Sequence, residues 1–152
     1  MLKTLIPAAL LAWPALAADA PEAALDAWEA DRTRVFDAPD ISIGDFLWSA
    51  RPVVVFADTS RDPAFIEQME EIAAEIDRLA ERDVVVVIDT DPAARSDLRT
   101  RLRPRGFMLV LMGKDGQVKL RKPLPWTVRE LSRSIDKMPM RRREMREFDA
   151  AE

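Results

Sequence analysis

The stretch RPVVVFADTSRDPAFIEQMEEIAAEIDRLAERDVVVVIDTDP, residues 51–92, decides the fold. Pro52-Val53-Val54-Val55-Phe56-Ala57 is an unbroken apolar, β-branched run of the kind expected for a strand buried on both faces. Asp62-Pro63 then offers an N-cap and a first-turn proline. Phe65, Ile66, Met69, Ile72, Ala73, Ile76, Leu79 and Ala80 follow at helical spacing, which predicts a helix with one buried face. Asp83 precedes Val84-Val85-Val86-Val87-Ile88, a second buried strand. Two such strands joined by a helix favour parallel pairing in one sheet.

Downstream, Asp91-Pro92 repeats the capping device and predicts a shorter helix carrying Ala94, Leu98 and Leu102, ended by Pro104 and Gly106. Phe107–Met112 reads as a third strand. The turn Lys114-Asp115-Gly116-Gln117 leads to a fourth at Val118–Leu120, so the two form a hairpin. Thr127-Val128-Arg129-Glu130 is a capping box that starts a helix with Val128, Leu131, Ile135 and Met138 on one face. The predicted class is therefore α/β and thioredoxin-like: a central mixed sheet of about four strands flanked by helices, over residues 41–140.

Upstream, residues 1–17 read as a secretory signal peptide. Lys3 provides the positive start, Leu5–Leu16 the apolar run, and Ala15-Leu16-Ala17 or Ala18-Asp19-Ala20 the cleavage pattern, giving cleavage after Ala17 or Ala20. The expected location is periplasmic or secreted, without a membrane span, because the run is short and broken by Pro7 and Pro14. Residues 18–40 form an N-terminal arm with sparse apolar anchors at Leu25, Trp28, Val35 and Phe36. It reads either as a short helix and a loop or as a loose arm. Residues 141–152 form a tail of mixed basic and acidic character.

Composition removes several chemistries. The 152 residues include no Cys, no His and no Tyr, and the net charge is −4. A chain without thiols performs no thiol–disulfide exchange, and one without imidazole has no Ser-His-Asp triad or His-ligated zinc. The acidic balance argues against nucleic acid as a partner. No catalytic residue, cofactor or metal is expected.

At this point Leu47-Trp48, Arg51–Ala57, Glu81–Val87, Gly113-Lys114-Asp115-Gly116-Gln117-Val118-Lys119 and Ile135-Asp136-Lys137-Met138-Pro139-Met140-Arg141-Arg142 come together. In these segments the chain resembles the family called domain of unknown function 4174, from about Ile43 to Met145. The Gly-Lys-Asp-Gly and Asp-Lys-Met-Pro-Met-Arg-Arg segments are its most specific parts. The resemblance implies a thioredoxin-like fold and small exported bacterial proteins, with similar modules in animal extracellular-matrix proteins. It implies no established activity. Where a redox thioredoxin carries Cys-x-x-Cys, this chain has Asp58-Thr59-Ser60-Arg61-Asp62-Pro63, and the cis-proline position falls near Gly106-Phe107-Met108.

Six candidate features remain. The loop after the first buried strand offers Asp58, Thr59, Ser60 and Arg61, with Phe107 opposite, as a ligand groove at a helix N-terminus. The plainer reading is that Asp62 caps the helix while Thr59 and Ser60 satisfy a turn. Asp89-Thr90-Asp91 resembles the Asp-x-Asp of metal-dependent phosphohydrolases, yet Ala93 stands where that motif wants Thr or Val, and capping already explains Asp91. Arg141, Arg142, Arg143 and Arg146 form a basic cluster that would dock an anionic partner or envelope surface, or would simply complement a helix end. Ser134–Lys137 matches Ser-x-x-Lys without its companion motifs, and Gly44, Gly106, Gly113 and Gly116 make no phosphate loop. Trp48 and Trp126 read as packing residues. The reading that joins these points is an exported, non-redox module binding a protein, peptide or small anionic ligand. Its rivals are a cryptic phosphohydrolase using Asp89 and Asp91, and a structural docking protein.

Overall fold

The computed structural model describes residues 23–152. The expected signal peptide and its cleavage points lie outside the described residues. Strand β2 (Arg51–Phe56) occupies the centre of a five-stranded sheet. β3 (Val84–Asp89) lies parallel to it on one side, and β4 (Met108–Met112) antiparallel on the other. β5 (Val118–Lys122) completes the hairpin on β4, and β1 (Val35–Asp37) pairs parallel to β3, giving the order β1-β3-β2-β4-β5. This is a thioredoxin-like arrangement with one strand more than expected. β1 has three residues, one of them buried, which is too short for a period-two pattern to register.

The pleat of β2 sorts the core into two layers, since alternate side chains leave opposite faces of a sheet. Val53 and Val55 pack with Phe65 and Ile72 of α2 (Pro63–Ala74), Leu79 of α3 (Ile76–Ala80), and Val128, Leu131 and Ile135 of α5 (Val128–Asp136). Val54 and Phe56 face the other way, toward Trp28 of α1 (Ala24–Ala30), Phe36, Phe46, and Leu98 and Leu102 of α4 (Asp97–Leu102). Residues 18–40 are thus no loose arm where described: α1 is held by Trp28 Nε1 donating to the Val84 carbonyl at 3.3 Å.

Three boundaries differ from expectation. Glu75, at φ −131 and ψ 32, interrupts the predicted single helix and divides α2 from α3. Asp91 caps only a 3-10 turn over Pro92–Ala94. Arg95 then turns left-handed (φ 47), and α4 starts at Asp97 under a Ser96 cap. Residues 141–152 belong almost wholly to α6 (Pro139–Ala151), so the segment read as a tail is helical. Met138, expected on the face of α5, is instead the N-cap residue of α6, because Pro139 at the first position forces a new start. No helix among the described residues is long and apolar enough to cross a membrane.

Candidate functional site

The loop at the C-terminal end of β2 keeps its polar groups busy locally. The Asp62 carboxylate accepts from the Ala64 and Phe65 amides at 2.8 and 3.4 Å, and Thr59 Oγ1 accepts from Arg61 N at 3.3 Å. Asp58, Thr59, Ser60 and Arg61 are exposed. Phe107, placed opposite them by the sequence reading, is buried in the core layer of Phe65 and Val128 and presents no wall to a groove. Sequence distance puts it beside the loop; the inward turn of its side chain is a packing result.

Next to this loop, Asp89 is a lock. Its Oδ1 accepts from Arg99 Nε at 3.0 Å and Nη2 at 2.8 Å, while Oδ2 accepts from the Ser96 hydroxyl. Arg99 Nη2 also donates to the Ala57 carbonyl at 2.9 Å, and the guanidinium lies 5.5 Å from the Phe56 ring centroid. The group therefore ties α4 to the ends of β2 and β3. A carboxylate 1% exposed and holding three donors from a guanidinium and a hydroxyl serves to tie these elements together. Asp91 is exposed and accepts from Ala93 N at 3.1 Å. Among the described residues, no group of three or more His, Cys, Asp or Glu side chains is placed to hold a metal ion.

The opposite end of the sheet is different. Arg51, first residue of β2, is 1% exposed. Its Nη1 donates to the Arg82 carbonyl and its Nη2 to Glu144 Oε1 of α6, each at 2.9 Å. The hairpin turn places Lys114 beside it, with Nζ 2.8 Å from Asp83 Oδ2 and 2.9 Å from the same Glu144 oxygen. The turn depends on glycine: Gly116 has φ 74, and a Cβ there would lie 2.9 Å from Leu47 Cδ2. On the other side the Lys114 carbonyl accepts from Trp48 N at 2.8 Å.

Burial alone would raise the Glu144 carboxyl, but hydrogen bonds from Arg51 and Lys114 outweigh it and hold the group below the usual carboxylate range. Asp83 follows the same pattern: burial opposes, and Lys114 and Arg32 prevail. Two residues here also have left-handed backbones without being glycine, Trp48 at φ 65 and Asp83 at φ 53. Trp48, expected as a packing residue, is 66% exposed. An exposed bulky side chain on a strained backbone does not contribute to the core.

Between these groups opens a cavity of about 310 Å³. Arg51, Gly113, Lys114, Asp115 and Lys119 line one side; Met138, Pro139, Met140 and Arg143 line the other. Lys119 Nζ pairs with Asp115 at 2.9 Å. Arg143 makes no ion pair among the described residues. Even with Asp83 and Glu144 counted, cationic side chains outnumber carboxylates here, although the whole chain is acidic. The α6 N-terminus lies at the same place, and its N-cap, Met138, supplies no side-chain hydrogen bond.

The basic cluster of α6 divides. Arg141 turns inward, 3.6 Å from both Asp136 and Glu144, and its Nε is buried without a hydrogen bond. Arg143 lines the cavity, while Arg142 and Arg146 are exposed at i, i+4 spacing. Arg51, Lys114, Lys119 and Glu144 escaped the sequence search for site residues. A signal for the place existed: the two most specific segments of the family resemblance, 113–116 and 136–142, meet across this cavity.

The chain belongs to the family described as Domain of unknown function (DUF4174), which matches residues 42–144. A search of curated proteins gives no match.

Proposed function

We propose that this DUF4174 chain is an exported, non-redox binding module whose ligand is a small anion held in the cavity at the N-terminal end of β2. One observation carries the reading. Arg51, Lys114, Lys119 and Arg143 come from three separate parts of the chain and converge on one cavity in a protein of net charge −4. A concave site with a few convergent polar groups is where a ligand is expected, and an uncapped helix N-terminus adds to its preference for negative charge. The absence of Cys removes the redox role of the scaffold. The loop Asp58–Arg61 is the less favoured site because Thr59 already accepts a local backbone amide, Asp62 beside it caps α2, and Arg61 is its one basic residue.

The test is thermal unfolding of the wild-type protein and of a Lys119→Ala, Arg143→Ala double variant across a series of inorganic phosphate concentrations. A ligand that binds only the folded state raises Tm. The reading expects a concentration-dependent rise in the wild type that the double variant loses. Equal shifts in both would refute it. Export is tested separately by fractionating cells that express the full chain: the expected product begins at Ala18 or Pro21 outside the cytoplasm, and an intact Met1 in the cytoplasm contradicts it.

A second reading, partner docking by α6, has its own support. Arg142, Arg146 and Phe148 are all exposed on a helix that buries none of its residues, and Phe148 is 66% exposed. Charge reversal at Arg142 and Arg146 leaves the cavity intact. Loss of a co-purifying partner with phosphate binding retained would favour docking.

A further inference from the structure

We infer that the ligand of this cavity is amphiphilic: one anionic head, carboxylate or phosphate monoester, carrying a short apolar chain. The inference rests on the anion-binding reading and adds the ligand's other half. The cavity walls are of two kinds. Arg143, without an ion pair among the described residues, and Lys119, paired with Asp115, are exposed cations at its surface, and Arg51 and Lys114 stand behind them hydrogen-bonded to Glu144, Asp83 and the Arg82 carbonyl. The head group therefore meets Lys119 and Arg143 directly, and feels Arg51 and Lys114 as a fixed field.

Across from Lys119 and beside Arg143, Met138, Pro139 and Met140 supply an apolar lining: Met138 and Met140 are half-buried, Met138 in part against the core layer of Ile135, and Pro139 is exposed. Methionine is flexible and polarizable, so such a wall adapts to an alkyl or aryl chain more readily than a rigid one. A purely inorganic anion would leave that lining wet, whereas a purely apolar ligand would leave Arg143 without an anion. At roughly 30 Å³ per water-sized group, a volume of about 310 Å³ accommodates a head group with a chain of several carbons.

Calorimetric titration of the purified protein with inorganic phosphate, hexyl phosphate and hexylammonium, together with sedimentation on phosphatidylglycerol vesicles, tests this. Burying two or more methylenes makes hexyl phosphate bind at least about tenfold more tightly than phosphate, and hexylammonium does not bind. Met140→Ala lowers hexyl phosphate affinity about threefold or more while leaving phosphate affinity unchanged. Arg143→Ala weakens both. Hexyl phosphate binding no tighter than phosphate overturns the inference and leaves the anion reading standing. If neither anion binds, both fall. Capture by the vesicles without binding of soluble hexyl phosphate also overturns it, because the head group is then recognised only at a membrane surface.

Discussion

Glu144 Oε1 lies 2.9 Å from Arg51 Nη2, a residue 93 positions earlier in the chain. The same oxygen takes the Lys114 ammonium at 2.9 Å. This carboxylate is therefore the point where the last helix, the central strand and the hairpin turn are tied together. α6 buries no residue of its own, so its position depends on this contact more than on packing. Arg51→Met leaves Glu144 part-buried with Lys114 and the more distant Arg141 as its remaining cations, and should cost about 2–3 kcal/mol. Urea midpoints and amide exchange in α6 check it. A midpoint shift without faster exchange in α6 would mean that the pair serves the sheet and not the helix.

The pH dependence has a fixed sign. The folded Glu144 and Asp83 carboxyls titrate below their unfolded counterparts, since the hydrogen bonds from Arg51, Lys114 and Arg32 outweigh the opposing effect of burial. The stability they contribute is complete above the ordinary carboxylate range, roughly pH 4, and is lost as pH falls through the lower folded values. With no His in the chain, stability should be nearly level from pH 5 to 8. An Asp83→Asn, Glu144→Gln variant should show a shallower acid decline. An unchanged slope would assign the decline to other carboxylates.

Asp89→Asn separates a structural from a catalytic carboxylate. Its side chain is 1% exposed and holds Arg99, Ser96 and the ends of two strands. Removing the charge leaves the part-buried Arg99 with only the exposed Asp58 carboxylate, 3.9 Å away, and should lower stability by about 3 kcal/mol. The measurement is the urea midpoint, alongside magnesium-dependent turnover of p-nitrophenyl phosphate. Turnover in the wild type that Asn abolishes at unchanged stability would revive the phosphohydrolase.

Trp48 holds a left-handed backbone at φ 65 while 66% exposed. Glycine there relieves a strain of about 1–2 kcal/mol and sacrifices little packing, against about 1 kcal/mol of added chain entropy. Trp48→Gly should thus raise stability by up to about 1 kcal/mol, read from the thermal midpoint. Gly116→Ala should do the reverse and destabilise by more than 1 kcal/mol, because φ 74 and Leu47 both oppose a Cβ. A strongly destabilised Trp48→Gly would show that the indole packs in a way its exposure hides.

Much of the fold is legible in the sequence because its central strands are extreme. Val53–Phe56 and Val84–Val87 are wholly buried, and burial on both faces requires unbroken apolar runs. The Asp62 and Thr127 caps were equally readable, since each satisfies its helix through its own side chain. β1 was not, because three residues on an edge bury only Phe36. The division of the basic cluster was hidden as well. Which of Arg141, Arg142 and Arg143 faces inward depends on where α6 starts, and that start is set by Pro139 after Met138. The cavity itself unites residues 51, 114, 119 and 143, a juxtaposition created by the sheet order and absent from any local pattern.

Which end of the sheet holds the ligand is measured directly by amide shift mapping on isotopically labelled protein titrated with inorganic phosphate. The account predicts saturable shifts at Lys114, Asp115, Lys119, Met140 and Arg143, with Thr59, Ser60 and Arg61 unmoved. Shifts confined to the Asp58–Arg61 loop would contradict it.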